Sequence, residues 1–412
     1  MAGKKQSFAS IENRFWEAFI KASGFASTLL VLLIIFFLFS EGLSLFSDAP
    51  VEQGLTVAVH PQNPVNELNA EELQQIFEGK TESWESLGGM NLPLQPLHLG
   101  NLERYLKEKE LITKSPEELI GEDFSGLQPL LDSLLNANQG MILAFQERYL
   151  PGTAKTVETG TVALGDVLAG STWEPAESPL PLFGILPLLW GTILVTLVAI
   201  AISLLFGPPV AIYLAEIADA RIRSILKPTV ELLAGIPSVV IGFLGLVVIV
   251  PFIRNAFNLD SGSTALAGSI LLALVALPTI ISVAEDAIRS VPPELKEASL
   301  GLGATQWQTI RRVVVPYAQP GILAAIILGV GRIVGETMIV LMVTGNNPQL
   351  VGFNVLASVR TMSAAIAAEM GEAPQGGMHY KALFVVGSML FLLTFLINLL
   401  GEYIKGRSTS RT

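Results

Sequence analysis

The sequence predicts an all-α polytopic membrane protein that carries one inserted α/β domain. Of its 412 residues, 51% are hydrophobic and only 15% are charged, whereas about a quarter of the residues of a soluble protein are charged. The apolar residues also form runs of about 20, the length that crosses the hydrocarbon core of a bilayer. We therefore predict six transmembrane helices, over residues 24–46, 182–205, 228–253, 264–283, 321–343 and 382–400.

The first predicted helix follows a basic segment, so it is either a signal peptide or an uncleaved anchor. Lys4, Lys5, Arg14 and Lys21 supply the positive charge. The apolar stretch is longer than the roughly 7–15 residues of a signal-peptide core, and no small-x-small cleavage site follows it. We expect an uncleaved anchor, so that residues 1–46 form a cytoplasmic N-terminus and the first transmembrane helix.

The distribution of charge predicts the orientation. Residues 41–182 hold 22 acidic and 7 basic side chains, a net charge of −15, whereas the whole chain carries −11. With the basic N-terminus inside and six crossings, the basic side chains of the short loops also fall inside, as the positive-inside rule requires. We therefore expect cytoplasmic N- and C-termini, an extracytoplasmic segment over 47–180, and the remaining five helices in a membrane core over 181–412. The acidic balance argues against a nucleic-acid partner.

Segment 47–180 has the pattern of a small α/β domain. The stretches LTVAVHP and MNLPLQPLHL alternate like short strands. Asn69 with Glu72 three residues later marks one helix start, Ser115 in SPEELI marks a second, and a third helix is predicted over 126–137. Between the last two spans, residues 347–380 contain small and apolar residues with few charges, which predicts an interfacial or re-entrant helix.

The segment ELKEASLGLGATQWQTIRRVVVPYAQPG, within a predicted cytoplasmic loop over 289–320, resembles the EAA loop of ABC-importer permeases. Ser299 takes the place of the second alanine of that motif. The pattern predicts two short helices joined at Gly303, with Ala304 and Thr305 opening the second. The matching residues are Glu297, Ala298, Ser299, Gly303, Val313, Val315 and Pro316. In the family this loop contacts the nucleotide-binding subunit and transmits its ATP-driven closure to the membrane helices. The alternative is a basic amphipathic loop that lies at the lipid headgroups.

Three longer segments are similar to the phosphate-importer permeases: IYLAEIADARIRSILKPTVELLAGIPSVVIGFLGLVV, ALPTIISVAEDAIRSVPPELKEASLGLGATQW and GRIVGETMIVLMVTGN. The GETM and MVTGN motifs favour the PstC-type subunit over its PstA-type sister. The resemblance covers about residues 181–400 and implies a type I ABC importer permease fold. It implies as partners a PstA-type sister permease, a dimer of ATP-binding subunits, an extracytoplasmic phosphate-binding protein and phosphate itself.

ATP chemistry is expected on a separate subunit, so this chain is predicted to be neither an enzyme nor a cofactor-binding protein. The nearest approach to a phosphate-binding loop is EGKT, over 78–81, and Gln74 stands where that motif needs a glycine. Two other functions stay open. One is a permease for another oxyanion, molybdate or sulfate. The other is a membrane receptor whose outer domain senses phosphate.

The inserted domain has its own resemblance, to one lobe of the phosphate-binding proteins, carried by VHPQNPVNELNAEELQQIFEGKTESWESLGG and ANQGMILAFQERYLP. Those proteins hold the oxyanion in a loop rich in Gly, Ser and Thr at a helix start. Here the corresponding stretch is GNLERYLKEKELI, where Glu103 brings the wrong charge. We expect a lobe that has lost its ligand site and acts as a docking or gating surface. An inherited decoration without a role is the alternative.

The stretch GRIVGETM places Arg332 and Glu336 inside the fifth predicted helix. A charged side chain at a bilayer centre costs about 2.5–3.5 kcal/mol on insertion scales. On a continuous helix the i, i+4 spacing puts both side chains on one face, within salt-bridge range. We predict that Arg332 lies on an anion path, with Glu336 as its counter-charge and Thr337 adding a hydroxyl. A buried ion pair that only locks helix packing is the alternative.

Overall fold

The computed structural model describes residues 2–108, 124 and 126–409, with side chains described from residue 16 to residue 403. Within this part of the chain, six helices are long and apolar enough to cross a membrane, as predicted. They run over Trp16–Ser47, Leu186–Ile217, Ser238–Phe257, Ala265–Arg289, Gln306–Gly335 and Met378–Tyr403. The predicted fold class, a helical membrane protein with an α/β insert, is confirmed. The predicted helix start at Ser115 lies outside the described residues.

The membrane bundle consists of twelve α-helices and three π turns within the described residues. The bundle helices on either side of the insert are α1 (Ala2–Ser44), which precedes it, and α6 (Leu186–Ile212), which follows it. The others follow as α7 (Ala220–Ala234), α8 (Ser238–Leu244), α9 (Val250–Phe257), α10 (Ala265–Arg289), α11 (Pro293–Gly301), α12 (Gln306–Thr309), α13 (Val315–Gly335), α14 (Met338–Val343), α15 (Met362–Glu369) and α16 (Met378–Thr409). The π turns are Tyr213–Ile217, Gly245–Ile249 and Ile310–Val314.

The third span differs from its prediction. Residues 228–253 were expected to form one helix, but α7 ends at Ala234 and α8 begins only at Ser238. Pro237 lies between them with φ −58 and ψ 135. A proline disfavours helical geometry in the residue before it, so Gly235 and Pro237 together end α7. The spanning segment therefore starts about ten residues later than predicted and continues to Phe257.

Helix α10 lies at the centre of the bundle, between α6 and α13. Its small residues Ala267, Gly268, Ala273 and Ala276 are buried, and small residues allow helix backbones to approach closely. The Ser269 hydroxyl donates to the Val195 carbonyl of α6 at 3.1 Å. A packed core therefore surrounds α10, while the outer faces of the other spans carry the exposed apolar side chains that a bilayer or a partner covers.

The insert is built on a four-stranded sheet in the order β3 (Gln95–His98), β4 (Met141–Gln146), β1 (Leu55–Val59), β5 (Lys155–Thr156). Strand β1 is antiparallel to both β4 and β5, and β3 is parallel to β4. Short two-stranded ladders join β2 (Glu67–Leu68) to β6 (Glu158–Thr159) and β7 (Trp173–Glu174) to β8 (Leu182–Phe183).

Helices cover both faces of the insert's sheet. On one face, α3 (Leu99–Glu108) and α4 (Leu127–Ala137) pack with Leu143 and Phe145 of β4. On the other face, α2 (Ala70–Phe77) packs with Ile142 of the same strand. The alternation along β4 is that of a strand buried on both sides. A short α5 (Leu164–Ala169) precedes β7.

Two of the predicted helix positions of the insert are confirmed. The Asn69 side chain accepts the Glu72 N–H at 2.9 Å, and the Glu72 carboxylate accepts the Asn69 N–H at 2.9 Å. This reciprocal capping box fixes the start of α2. Helix α4 lies over the third predicted helix.

Candidate translocation site and coupling loop

The helix that carries Arg332 breaks at Glu336. Helix α13 ends at Gly335, Glu336 is extended with φ −74 and ψ 132, and α14 begins at Met338. The prediction of one continuous helix over 321–343 is therefore wrong. Glycine is a poor helix former, and the Thr337 hydroxyl donates to the Gly335 carbonyl at 3.4 Å, so a local bond competes with the helical ladder.

The break also separates the two charges. Arg332 is exposed on α13, whereas Glu336 is partly buried beyond the end of the helix. Among the side chains that the structure describes, no ion pair joins them, so the predicted salt bridge is wrong for this conformation. The i, i+4 relation holds only where the helix is continuous. One oxygen of the Glu336 carboxylate instead accepts the Thr337 N–H at 3.2 Å.

Hydroxyl groups surround the break. Thr192, Thr196, Thr361 and Ser363 line a small cavity together with Glu336. The Ser363 hydroxyl donates to the Glu336 backbone carbonyl at 2.9 Å, which supplies a partner to a group that a continuous helix would have bonded internally. Sequence reasoning missed these residues because they come from α6 and α15. Their only signal in the sequence is a hydroxyl side chain within an apolar run.

Helix α15 lies in the segment predicted to be interfacial or re-entrant. It has eight residues, and a helix of that length extends about 12 Å, less than half the thickness of a bilayer core. Met362, Ser363, Ala364 and Ala365 are buried in the bundle. The segment is therefore a short helix that enters the bundle and does not cross it, as the sequence predicts.

The coupling loop has the predicted helix–glycine–helix form. Helix α11 ends at Gly301, and Gly303 takes φ +85, the left-handed conformation that glycine adopts without strain. Thr305 caps α12 in a reciprocal capping box with Gln308. The hydroxyls of Ser299 and Thr309 lie 2.9 Å apart and join the two helices. The serine that departs from the EAA pattern therefore makes a bond that an alanine could not make.

The other residues of the motif divide between the exposed surface and the base of α13. Glu297 and Ala298 are exposed on α11, Val313 lies in the last π turn, and Val315 and Pro316 open α13, where proline is tolerated. Around Glu297 the loop exposes large apolar side chains. They are Leu295, Leu300, Leu302 and Trp307, of which Leu302 is 90% exposed.

The coupling loop is held against the end of α6. The Lys296 ammonium lies 2.5 Å from the Glu216 carboxylate, and the Gln306 side-chain amide donates to the Glu216 carbonyl at 3.2 Å. Ile310 and Val314 of the π turn are buried, and α13 follows the π turn without a gap. The loop is therefore continuous with α13, the helix that ends at the break.

In the insert, the stretch that replaces the oxyanion loop of the binding proteins is helical. Helix α3 starts directly after β3, and Glu103 on it pairs with Lys107 at 2.5 Å. A cavity beside His98 is lined by carboxylates, those of Glu78, Glu174 and Glu177. Partial burial and the neighbouring Glu174 carboxylate raise the pKa of Glu177, as expected where like charges crowd together. Three carboxylates thus line a cavity next to the start of α3, where the resemblance places an anion site.

Solved structures of ABC transporter proteins are similar to this chain at low sequence identity. The inward-facing MetNI methionine ABC transporter is 23% identical, with a TM-score of 0.42, over 53% of this chain and 93% of that one. A putative phosphate ABC transporter substrate-binding protein with bound phosphate from Clostridium perfringens is 20% identical, with a TM-score of 0.19, over 28% of this chain and 49% of that one.

Bacterial proteins are similar to this chain at higher sequence identity. The probable ABC transporter permease protein YqgH of Bacillus subtilis is 39% identical over 59% of this chain and 78% of its own length. The phosphate transport system permease protein PstC of Mesorhizobium japonicum is 35% identical over 60% and 79%, and that of Haemophilus influenzae 33% identical over 58% and 80%. A family model also matches residues 207–409. The chain belongs to the family of binding-protein-dependent transport system inner membrane components.

Proposed function

We propose that this chain is the permease subunit of an ATP-driven phosphate importer and that phosphate passes Arg332 as it crosses the membrane. The exposure of Arg332 within an apolar span carries the proposal. An exposed guanidinium is too costly to leave in lipid, so that face of α13 lies against water or a polar partner. A fixed positive charge there attracts anions and repels cations.

The site fits a tetrahedral oxyanion, and the relatives favour phosphate. A guanidinium offers planar, paired N–H donors that match two phosphate oxygens. The PstC relatives are named as phosphate transport permeases, which supports phosphate over sulfate or molybdate.

The proposed assembly places a second permease subunit of the PstA type against α13 and a dimer of ATP-binding subunits beneath the coupling loop. Leu302 and Trp307 supply the exposed apolar surface for that second contact. The coupling loop and the two termini then face the cytoplasm, and the insert faces outward, in agreement with the positive-inside rule. ATP is bound and hydrolysed on the partner dimer.

The insert is proposed to dock the separate phosphate-binding protein and to bind no phosphate of its own. The carboxylates of Glu78, Glu174 and Glu177 line the cavity beside His98, and they repel an anion. This arrangement favours a lobe that serves as a docking surface over a lobe that binds its own ligand.

In the proposed transport cycle, the break at Glu336 is the joint at which α13 and α14 move relative to each other. When the coupling loop moves α13, α13 and α14 straighten into one helix, which brings Arg332 and Glu336 to the i, i+4 spacing where they pair. Glu336 then competes with phosphate for Arg332 and keeps anion binding weak enough for release. Straightening also frees the Thr337 hydroxyl from the Gly335 carbonyl, so that it too can meet the anion.

The test is uptake of labelled phosphate into vesicles that contain this chain, its sister permease, the ATP-binding dimer and the binding protein. We expect phosphate uptake to require ATP. A roughly tenfold excess of sulfate or molybdate should leave it unchanged, which would mean that phosphate is bound more than about tenfold more tightly than either competitor. Equal competition by sulfate or molybdate would assign the alternative oxyanion. Phosphate-dependent signalling without any uptake would assign a receptor.

A further inference from the structure

Helix α15 contacts both the insert and the break at Glu336. At its first turn, the Ser363 hydroxyl donates to the Glu336 carbonyl at 2.9 Å. At its last residue, the Glu369 carboxylate accepts the indole N–H of Trp173, with N···O distances of 3.0 and 3.2 Å. Trp173 belongs to β7 of the insert. One eight-residue helix thus joins a strand of the insert to the joint of the proposed path.

The contact at the last residue of α15 is held by several partners. Arg360 and His379 both bind the Glu369 carboxylate, and the His379 ring nitrogen lies 2.9 Å from it. The Arg360 guanidinium also donates to the Asn346 carbonyl at 3.0 Å, in the loop that follows α14. Charge-assisted bonds in a partly buried cluster are among the stronger polar contacts of a protein. Glu369 is therefore held both by the bundle, through Arg360 and His379, and by the insert, through Trp173.

The first turn of α15 is fixed as firmly. The Thr361 hydroxyl caps the helix by accepting the Ala364 N–H at 3.2 Å. The Thr192 hydroxyl of α6 accepts the Met362 N–H at 2.9 Å. Both ends of this continuous eight-residue helix are therefore bonded, and a displacement of the whole helix at Glu369 would also displace Ser363.

The insert side of this connection is packed as well as bonded. Trp173 is 1% exposed and meets the Phe183 ring edge-on, with ring centroids 6.4 Å apart. Trp173 belongs to one apolar cluster that also contains Met362 and Ala365 of α15. A second contact clamps the insert to the bundle, since the Lys381 ammonium donates to both oxygens of the Asp48 carboxylate at 2.9 and 2.8 Å.

We propose that Trp173 and Glu369 are positioning residues through which the insert sets the conformation of the helix break at Glu336. A protein that docks on the insert shifts β7, the Trp173–Glu369 contact moves α15, and Ser363 carries the displacement to the backbone at Glu336. The inference rests on the proposed function in taking the break as part of the transport path and the insert as the docking surface.

The chain contains no cysteine, so a single introduced thiol can be labelled without background. Gly335→Cys places a nitroxide at the end of α13, where an added Cβ meets no atom within 4 Å. Gly331→Cys is the reporter control, since it lies one turn earlier on the same helix and has equally open surroundings. Electron paramagnetic resonance of the purified full-length chain then measures the ratio of mobile to immobile label at each position.

The perturbing variant is Trp173→Phe, which removes the N–H donor and keeps an aromatic ring. Trp84→Phe is its matched control, because Trp84 is equally buried in the insert and its N–H bonds only the Gly140 carbonyl, at 2.8 Å. We expect Trp173→Phe to raise the mobile-to-immobile ratio at residue 335 about fivefold, the factor that corresponds to one lost net hydrogen bond. The ratio at residue 331, and both ratios in Trp84→Phe, should stay unchanged.

Ser363→Ala cuts the connection at its other end and should give the same change at residue 335. The double variant with Trp173→Phe should raise the ratio no further, because both substitutions interrupt the same connection and their effects are then not additive. If Trp173→Phe fails to fold, Ser363→Ala alone tests the connection at its other end. An unchanged ratio at residue 335, or an equal change in Trp84→Phe, would overturn the inference. The measurement uses neither phosphate nor ATP, so a failure of the proposed function leaves its result intact.

Discussion

At the coupling-loop end, α13 follows the π turn Ile310–Val314 without a gap, and an ion pair between Lys296 and Glu216 holds the loop to α6. At the insert end, α13 stops at Gly335, and the next residue is extended. We call the first end, which is continuous with the coupling loop, the lever end of α13. We call the second end, where the helix breaks, its joint end. In the proposed transport cycle, motion that enters at the loop is expected to pass along α13 and to change the break at Glu336, near the exposed charge of Arg332.

The largest expected effect is at the joint end. Arg332→Gln removes the positive charge that the phosphate oxygens meet, and a bidentate pair to a charged group contributes about 3 kcal/mol or more, so uptake should fall about 100-fold. Uptake of labelled phosphate into vesicles measures it. Arg254→Gln is the matched control, since Arg254 is also an exposed arginine of a span but lies in α9, away from α13. A variant Arg332→Gln with normal uptake would place the path elsewhere.

A smaller effect is expected at the lever end. Gly303→Ala forces a side chain into φ +85, which costs about 1–2 kcal/mol and turns the exposed Leu302 away from its partner. We expect ATP hydrolysis stimulated by the binding protein to fall about tenfold, with unstimulated hydrolysis retained. Gly301→Ala serves as control because its backbone is helical and its Cβ meets open space. Equal losses in both variants would show that the turn at Gly303 has no special role.

The smallest effect is expected inside the loop. Ser299→Ala restores the alanine of the EAA pattern and removes the hydroxyl contact with Thr309, so the chain should lose about 1 kcal/mol of stability. Thermal unfolding in detergent measures it, and transport should be unchanged. Thr309→Val should cost a similar amount, and the double variant no more than either one. Additive losses would mean that the two hydroxyls act separately.

The same contrast explains what the sequence could predict. At the lever end the signals are local: Gly303 ends one helix, and Thr305 with Gln308 caps the next. At the joint end no proline marks the break, and apolar residues on both sides of Glu336 make the run look continuous. There the deciding partner, Ser363, comes from another helix.

The insert shows the same difference between contacts that are local in the sequence and contacts that are not. The capping box of Asn69 and Glu72 spans three residues and could be predicted from the sequence. The contact between Trp173 and Glu369 joins residues 196 positions apart, which no pattern along the chain reveals. Contacts between residues close in the sequence can therefore be predicted from it, whereas contacts between distant residues cannot.

The central claim is that α13 and α14 straighten when the coupling loop is driven. Nitroxides at Gly331→Cys and Met338→Cys span the break and leave Arg332 and Glu336 in place. Their dipolar distance should be broad in the nucleotide-free assembly and should narrow to about 10 Å, the length of seven helical residues, once the partner dimer is trapped with an ATP analogue. An identical distance distribution in both states would contradict the account, because the break would then be a fixed feature of the chain.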